Sequence, residues 1–424
     1  MNVLPLHKTA LSSPKKRPSS RKQIPGLDAV RAFAALGVIL LHSCVPYLQH
    51  PMPGLAWPIR DSSSSTVDVV FWSIELFIMP LFLVVAGFFA WRTLQSRDEV
   101  ALIKSRAKRL LRPLLFGILV ILPMDLYAWV LGWVTEGIVA PVKLKSLKFA
   151  GSVDQNLWGL SHLWFLQYLF LYVLAVGAFA RLRKRFNSLS LSLNPGTLVA
   201  SGLLIGTVTL YLHPEVVWGF QHAFLPFSSK WVYSGLFFLL GATLAVHDAE
   251  LDWLRANANR MIAPAAICAL AALVLGRWHL AGGDNRLAEG TLAGLTCLSG
   301  GMVSMSLIGV AVSRIHKTPL AIEYLAAASF WVYLVHHPVL GLVHTDLKWL
   351  FPQMAPLTKT ALAFTLSTLV SLLSYEAFVR CTGLGRWLGF NWQPVQKMED
   401  QNAVLPMTPA ANYELPSTQQ RRAA

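Results

Sequence analysis

The sequence predicts an all-α fold, a polytopic membrane bundle of about ten transmembrane helices. Three observations predict it. The 424-residue chain is 54% hydrophobic and only 13% charged, whereas a soluble domain carries about 25% charged residues. Ten apolar runs are each long enough to cross a hydrocarbon core. Backbone in lipid must satisfy its own hydrogen bonds, so such runs read as helices. Basic residues alternate in density between successive connections, as the positive-inside rule requires of a multi-pass chain.

In order, residues 1–25 are Ser/Pro-rich and basic (Lys15, Lys16, Arg17, Arg21, Lys22) and read as a disordered cytoplasmic tail. The first span, 27–48, has no small-residue cleavage site after it and reads as an uncleaved anchor. Nine further spans follow at about 66–91, 113–135, 159–180, 196–213, 230–247, 261–280, 288–312, 319–344 and 358–379. Residues 26–390 thus form one transmembrane domain, and 391–424 a second polar tail, also expected to be disordered. If both termini are cytoplasmic, 27 of the 36 Lys and Arg lie on that side. A multi-pass protein of a bacterial inner membrane is the expectation.

The densest basic stretch, 92–113, is expected to lie amphipathically on the inner leaflet. A net charge of +15 would point to nucleic acid in a soluble chain. Here the partner is the lipid bilayer, and no nucleic acid is expected. Cys44, Cys268, Cys297 and Cys381 fall within or at the end of apolar runs without paired spacing. They read as buried thiols, neither a disulfide nor a zinc framework, and no metal-ligand set is read elsewhere.

Ionisable residues inside the spans carry the functional signal, because each costs free energy there, about 2.5–3.5 kcal/mol for a central Arg. Arg31 and His42 are eleven residues apart on the first helix. That is about three turns, so both face one way, roughly 16 Å apart along the axis. Arg31 taken alone reads equally as a snorkelling residue paired with Asp28 or as a cation for an anionic ligand entering from the cytoplasm. His42 is too deep to snorkel. A neutral imidazole in a cavity is a competent general base toward a hydroxyl.

Glu75 falls near the middle of the second span, where it orients an imidazole, binds a cation or pairs with a neighbour; Asp125 is a weaker case. His162 and Trp164 open the fourth span, where an interfacial aromatic belt would account for the Trp. The ninth span carries Tyr333, His336, His337 and Pro338, and the proline frees a backbone carbonyl that a cavity can use. Glu376 and Arg380, four apart, read as an ordinary ion pair. The four histidines fall in the outer halves of their spans and Arg31 in the inner, which describes a cavity crossing the membrane.

These residues resemble the integral-membrane acyltransferases of family 3. Arg31 and His42 match the family's Arg-x10-His signature, and Gly87-Phe88 its Gly-Phe pair. Ser161 to Leu166 match its His-Leu-Trp-Phe-Leu stretch, and Ser329 to Pro338 look like its Ser-x3-Tyr-Leu-x-His-x-Pro stretch, with His336 at the family histidine. The resemblance covers roughly 24–390. It implies an enzyme that takes an acyl group from cytoplasmic acyl-CoA, a donor substrate with no bound cofactor, and places it on a carbohydrate hydroxyl beyond the membrane. Arg31 would hold the donor, His42 would act as base with Glu75 in support, and His162, Trp164, Tyr333 and His336 would line the substrate site. Met79 to Phe89 and the Arg-rich stretch ending at Pro113 are similar to the branch that adds succinyl groups to periplasmic glucans, which leaves acetyl and succinyl both open. The competing readings are a proton-coupled transporter or flippase for a glycan or lipid-linked sugar, and a non-catalytic membrane partner.

Overall fold

The computed structural model describes residues 24–146, 157–185 and 194–390. Both expected disordered tails lie almost wholly outside the described residues. Those residues are helical, with no strand among them. The helices are α1 (Pro25–Cys44), α2 (Ser65–Ser96), α3 (Glu99–Phe116), α4 (Leu122–Thr135), α5 (Trp164–Arg185) and α6 (Pro195–Leu212). They continue with α7 (Ser228–His247), α8 (Asp252–Leu280), α9 (Arg286–Arg314), α10 (Leu320–Leu350), α11 (Pro356–Phe378) and the short α12 (Gly383–Leu388). Ten stretches are long and apolar enough to span a membrane, α3 and α4 together making one of them.

Local chemistry sets the helix starts. Asp98, Asn194, Asn285 and Thr382 accept backbone N–H groups of the first turns of α3, α6, α9 and α12. Pro25, Pro195 and Pro356 sit at first-turn positions, where no intrahelical N–H is needed.

The third span differs from the expected 113–135. Arg97 is extended and Asp98 caps a new helix, so α3 begins at Glu99 and joins α4 through a π turn at Gly117–Ile121. The basic stretch is therefore divided between the end of α2 and the first half of the third helical run. The first residue of α3 is tied to α5 by a Lys184–Glu99 ion pair of 2.6 Å.

Helix α1 is central. It packs on α2, α9, α10 and α11, and 61% of its spanning window is buried against 11% for α6 at the periphery. Exposed apolar side chains on α6, such as Leu204 and Leu212, make a surface suited to lipid. Close helix approach depends on small residues, as is usual in membranes. A Cβ on Gly87 of α2 would lie 1.9 Å from the Phe238 carbonyl oxygen of α7, and one on Gly241 of α7 would lie 1.9 Å from that of Val84. The Gly of the Gly-Phe pair is thus a packing residue that lets two backbones meet.

The connection between α1 and α2 folds inward. Trp129 and Trp133 of α4 donate indole N–H bonds to the carbonyls of Ala56 and Trp57. Fully buried Lys359 donates to Asp61 at 2.6 Å. Of the four cysteines, none of them in a disulfide, Cys44 and Cys297 are buried. Cys268 is partly exposed, and Cys381 is exposed because it lies in the turn after α11 with φ of 62°. The expectation of four buried thiols is corrected there.

Candidate active site

Four imidazoles from three parts of the chain meet. His42 comes from α1, His336 and His337 from α10, and His162 from the short 3-10 turn before α5. Ring centroids are 5.1 Å apart for His42–His336 and for His42–His337, and 4.5 Å for His162–His337. Ser161 adopts φ of 48° in that turn, a conformation rare outside glycine.

Backbone carbonyls assign the tautomers, because a carbonyl oxygen only accepts. His336 donates from Nδ1 to the Tyr333 carbonyl at 2.8 Å, so its Nε2 carries a lone pair. His42 donates from Nδ1 to the Val38 carbonyl at 2.9 Å, with His336 Nε2 3.3 Å from the same nitrogen. The other nitrogen of His42, Nε2, is thereby left as its basic atom. Trp57 stacks near the His42 ring at 6.1 Å and donates to His344.

Pro338 acts through the backbone. Lacking an N–H, it leaves the carbonyl four residues earlier, Leu334, without its helical partner. His162 donates from Nε2 to that carbonyl at 3.1 Å. The Tyr333 hydroxyl donates to the His162 carbonyl, closing a clasp between α10 and the start of α5. Behind this, His337 donates from Nδ1 to Asp125 Oδ2 at 3.1 Å, and His162 Nδ1 lies 3.5 Å from the same oxygen. The Trp129 ring stacks on His337 at 4.9 Å.

One cavity joins His42, Glu75, His162, Trp164, Lys230 and Tyr333. Lys230 is buried, stands 3.7 Å over the Trp164 ring and donates to the Gln221 carbonyl at 2.8 Å. Glu75 and Lys230 line this cavity together, and the His42 ring is oriented by the Val38 carbonyl rather than by Glu75.

The structure therefore brings together His42, Glu75, His162, Trp164 and Tyr333 on one cavity, with His336 in contact behind them. Arg31 stays apart. It pairs with Asp28 at 3.3 Å, its side chain is 42% exposed, and it does not line this cavity. Trp164 faces Lys230 and the cavity rather than serving only as a belt residue. Trp57 and Lys230 are the participants the sequence did not single out; Asp125 reads from sequence as a weaker case than Glu75, and His337 as one of the four cavity histidines without a substrate role. The signal for Asp125 and Lys230 was the same as for Glu75, a charge inside an apolar run. Trp57 gave none.

A family model described as an acyltransferase domain, Acyl_transf_3, matches residues 24–376. No curated protein and no solved structure matches.

Proposed function

The chain belongs to the acyltransferase 3 family, and from that premise we propose that it moves an acyl group from acyl-CoA to a carbohydrate hydroxyl on the far side of the membrane. The acceptor O–H attacks the thioester carbonyl while His42 Nε2 takes its proton. The C–S bond breaks, the thiolate recovers a proton from the imidazolium, and the products are an O-acyl ester and free CoA thiol. General-base assistance of this kind contributes about 10²–10⁴ in rate. The observation that carries the reading is the His42 ring itself. Its Nδ1 is committed to Val38, and its ring lines the cavity.

In this reading His336 and Val38 fix the His42 ring, while Glu75 and Trp164 face the acceptor, the carboxylate accepting from sugar hydroxyls and the indole packing on C–H faces. Arg31, three turns toward the other end of α1, takes the anionic donor. The charge asymmetry supports cytoplasmic termini in an inner membrane, with the imidazoles toward the opposite side.

The test is thiol release by the purified, detergent-solubilised chain. Acetyl-CoA and succinyl-CoA serve as separate donors, with and without a glucan acceptor, for wild type and His42→Ala. Acceptor-dependent release that disappears in the variant is the expected result. Undiminished release by a well-folded His42→Ala protein overturns the base assignment.

A further inference from the structure

Asp125, His162 and His337 have a different kind of relation from the rest of the cluster. All three are buried, at 5%, 5% and 2% exposure. One ligand-type atom from each lies within 4.8 Å of the other two. His162 gives its Nε2–H to the Leu334 carbonyl, so the neutral ring points a lone pair from Nδ1 at Asp125 Oδ2, 3.5 Å away. Two acceptors face each other in a buried place. Neither His162 Nδ1 nor the second carboxylate oxygen, Asp125 Oδ1, has a hydrogen-bond partner among the described residues. Something positive belongs between them.

We infer that Asp125, His162 and His337 form a binding site for one divalent transition-metal cation of the zinc class. The spacing fits. Zinc bonds to imidazole nitrogen and carboxylate oxygen are about 2.0–2.2 Å, so neighbouring ligand atoms of a tetrahedral site lie about 3.3–3.5 Å apart. The two nitrogens stand 3.1 and 3.5 Å from Asp125 Oδ2. A separation of 3.5 Å is long for an N–H···O bond, whose ordinary range ends near 3.2 Å. It is the right length for two ligands of one ion.

The ligand chemistry agrees. Two imidazoles and a carboxylate suit zinc and its first-row neighbours rather than magnesium or calcium. The hydrogen bond from His162 Nε2 to a backbone carbonyl is the outer contact that metal-bound histidines make, and here Pro338 creates the acceptor. On metal binding, the Nδ1 proton of His337 would move to Nε2, so that the neutral ring offers Nδ1 as a ligand beside the Asp125 carboxylate. Three protein ligands leave one coordination position over. His162 also lines the cavity that contains His42. The ion would tie α4, the turn before α5 and α10 together at the wall of that cavity.

The experiment uses the full chain in detergent with any affinity tag removed, purified from zinc-supplemented cells and passed through metal-free buffer. Elemental analysis is expected to find about one zinc per chain. Asp125→Asn and His337→Ala are expected to lose it. His42→Ala is expected to keep it while losing acyl transfer, which separates this site from the proposed base. Wild type prepared with cobalt is expected to show the visible d–d bands of a tetrahedral nitrogen–oxygen site, a readout independent of whether the ligand variants fold. Wild-type protein that emerges without metal and takes up neither zinc nor cobalt overturns the inference and leaves a proton in the gap. Metal retained equally by both ligand variants overturns it too, by placing the ion elsewhere.

Discussion

Replacing Gly87 with Ala puts a methyl group where α2 and α7 touch. The added Cβ would lie 1.9 Å from the Phe238 carbonyl oxygen, while close C···O contacts settle at about 3.3–3.6 Å. The two backbones must therefore separate by roughly 1.4 Å, the difference between those distances. The obstacle is helix backbone, which cannot rotate aside as a side chain would. Overpacking typically costs about 1–3 kcal/mol, and this geometry belongs at the upper end.

For a chain of this size such a loss is expected to lower the apparent Tm in detergent by on the order of 5 °C. Gly241→Ala strikes the same seam, 1.9 Å from the Val84 carbonyl oxygen, and is expected to cost a similar amount. The double variant is expected to cost less than the sum, because the first methyl already opens the space that the second needs. Helix α2 carries Glu75 and α7 carries Lys230, so thiol release should fall with stability. Gly301→Ala is the control. Its Cβ meets nothing nearer than 3.8 Å, and alanine gains about 0.5–1 kcal/mol of helix preference over glycine. An unchanged melting temperature for Gly87→Ala, with Gly301→Ala equally silent, would refute the close-contact argument.

Lys359→Met is expected to destabilise by about 3–5 kcal/mol because it strands Asp61 without its buried partner, and Asp61→Asn in the same chain is expected to recover most of that loss in a melting curve. Trp57→Phe keeps the ring but removes the indole N–H that His344 Nδ1 accepts at 3.1 Å; a buried acceptor left unpaired costs about 1–3 kcal/mol, again read by thermal unfolding. Arg31→Ala is expected to raise KM for acyl-CoA about tenfold, the lower part of what a charge-assisted hydrogen bond contributes, since the side chain is half exposed. A fall in kcat at constant KM would instead place Arg31 with the reacting groups.

Ten spans were legible because a span is written locally, in the length of an apolar run. The third was misread in part because its start depends on one capping side chain, Asp98, inside a stretch dominated by basic residues. The burial of Cys381 failed for a related reason. An apolar run says that a helix crosses the bilayer, but the turn that follows it, with φ of 62° at the cysteine, decides exposure.

The site was legible to the extent that ionisable residues in apolar helices are expensive and therefore conspicuous. His42, His162 and His336 stood out on that ground and do converge. What the sequence withheld is who touches whom. Glu75 was one candidate to orient an imidazole, yet orientation comes from a backbone carbonyl on the same helix, a group every residue carries and no letter announces. Trp57 lies in a connection without periodicity, and its place beside His42 is set by indoles of α4 reaching across 73 and 76 positions of chain. Pro338 is the instructive intermediate. Its letter alone establishes that Leu334 loses a helical hydrogen bond, and burial requires that the carbonyl find another donor. The sequence thus specified a vacancy at a known atom, and the fold filled it with His162. That one bond also fixes which nitrogen of His162 faces Asp125, so a missing backbone N–H in α10 determines the chemistry available between α4 and the turn before α5.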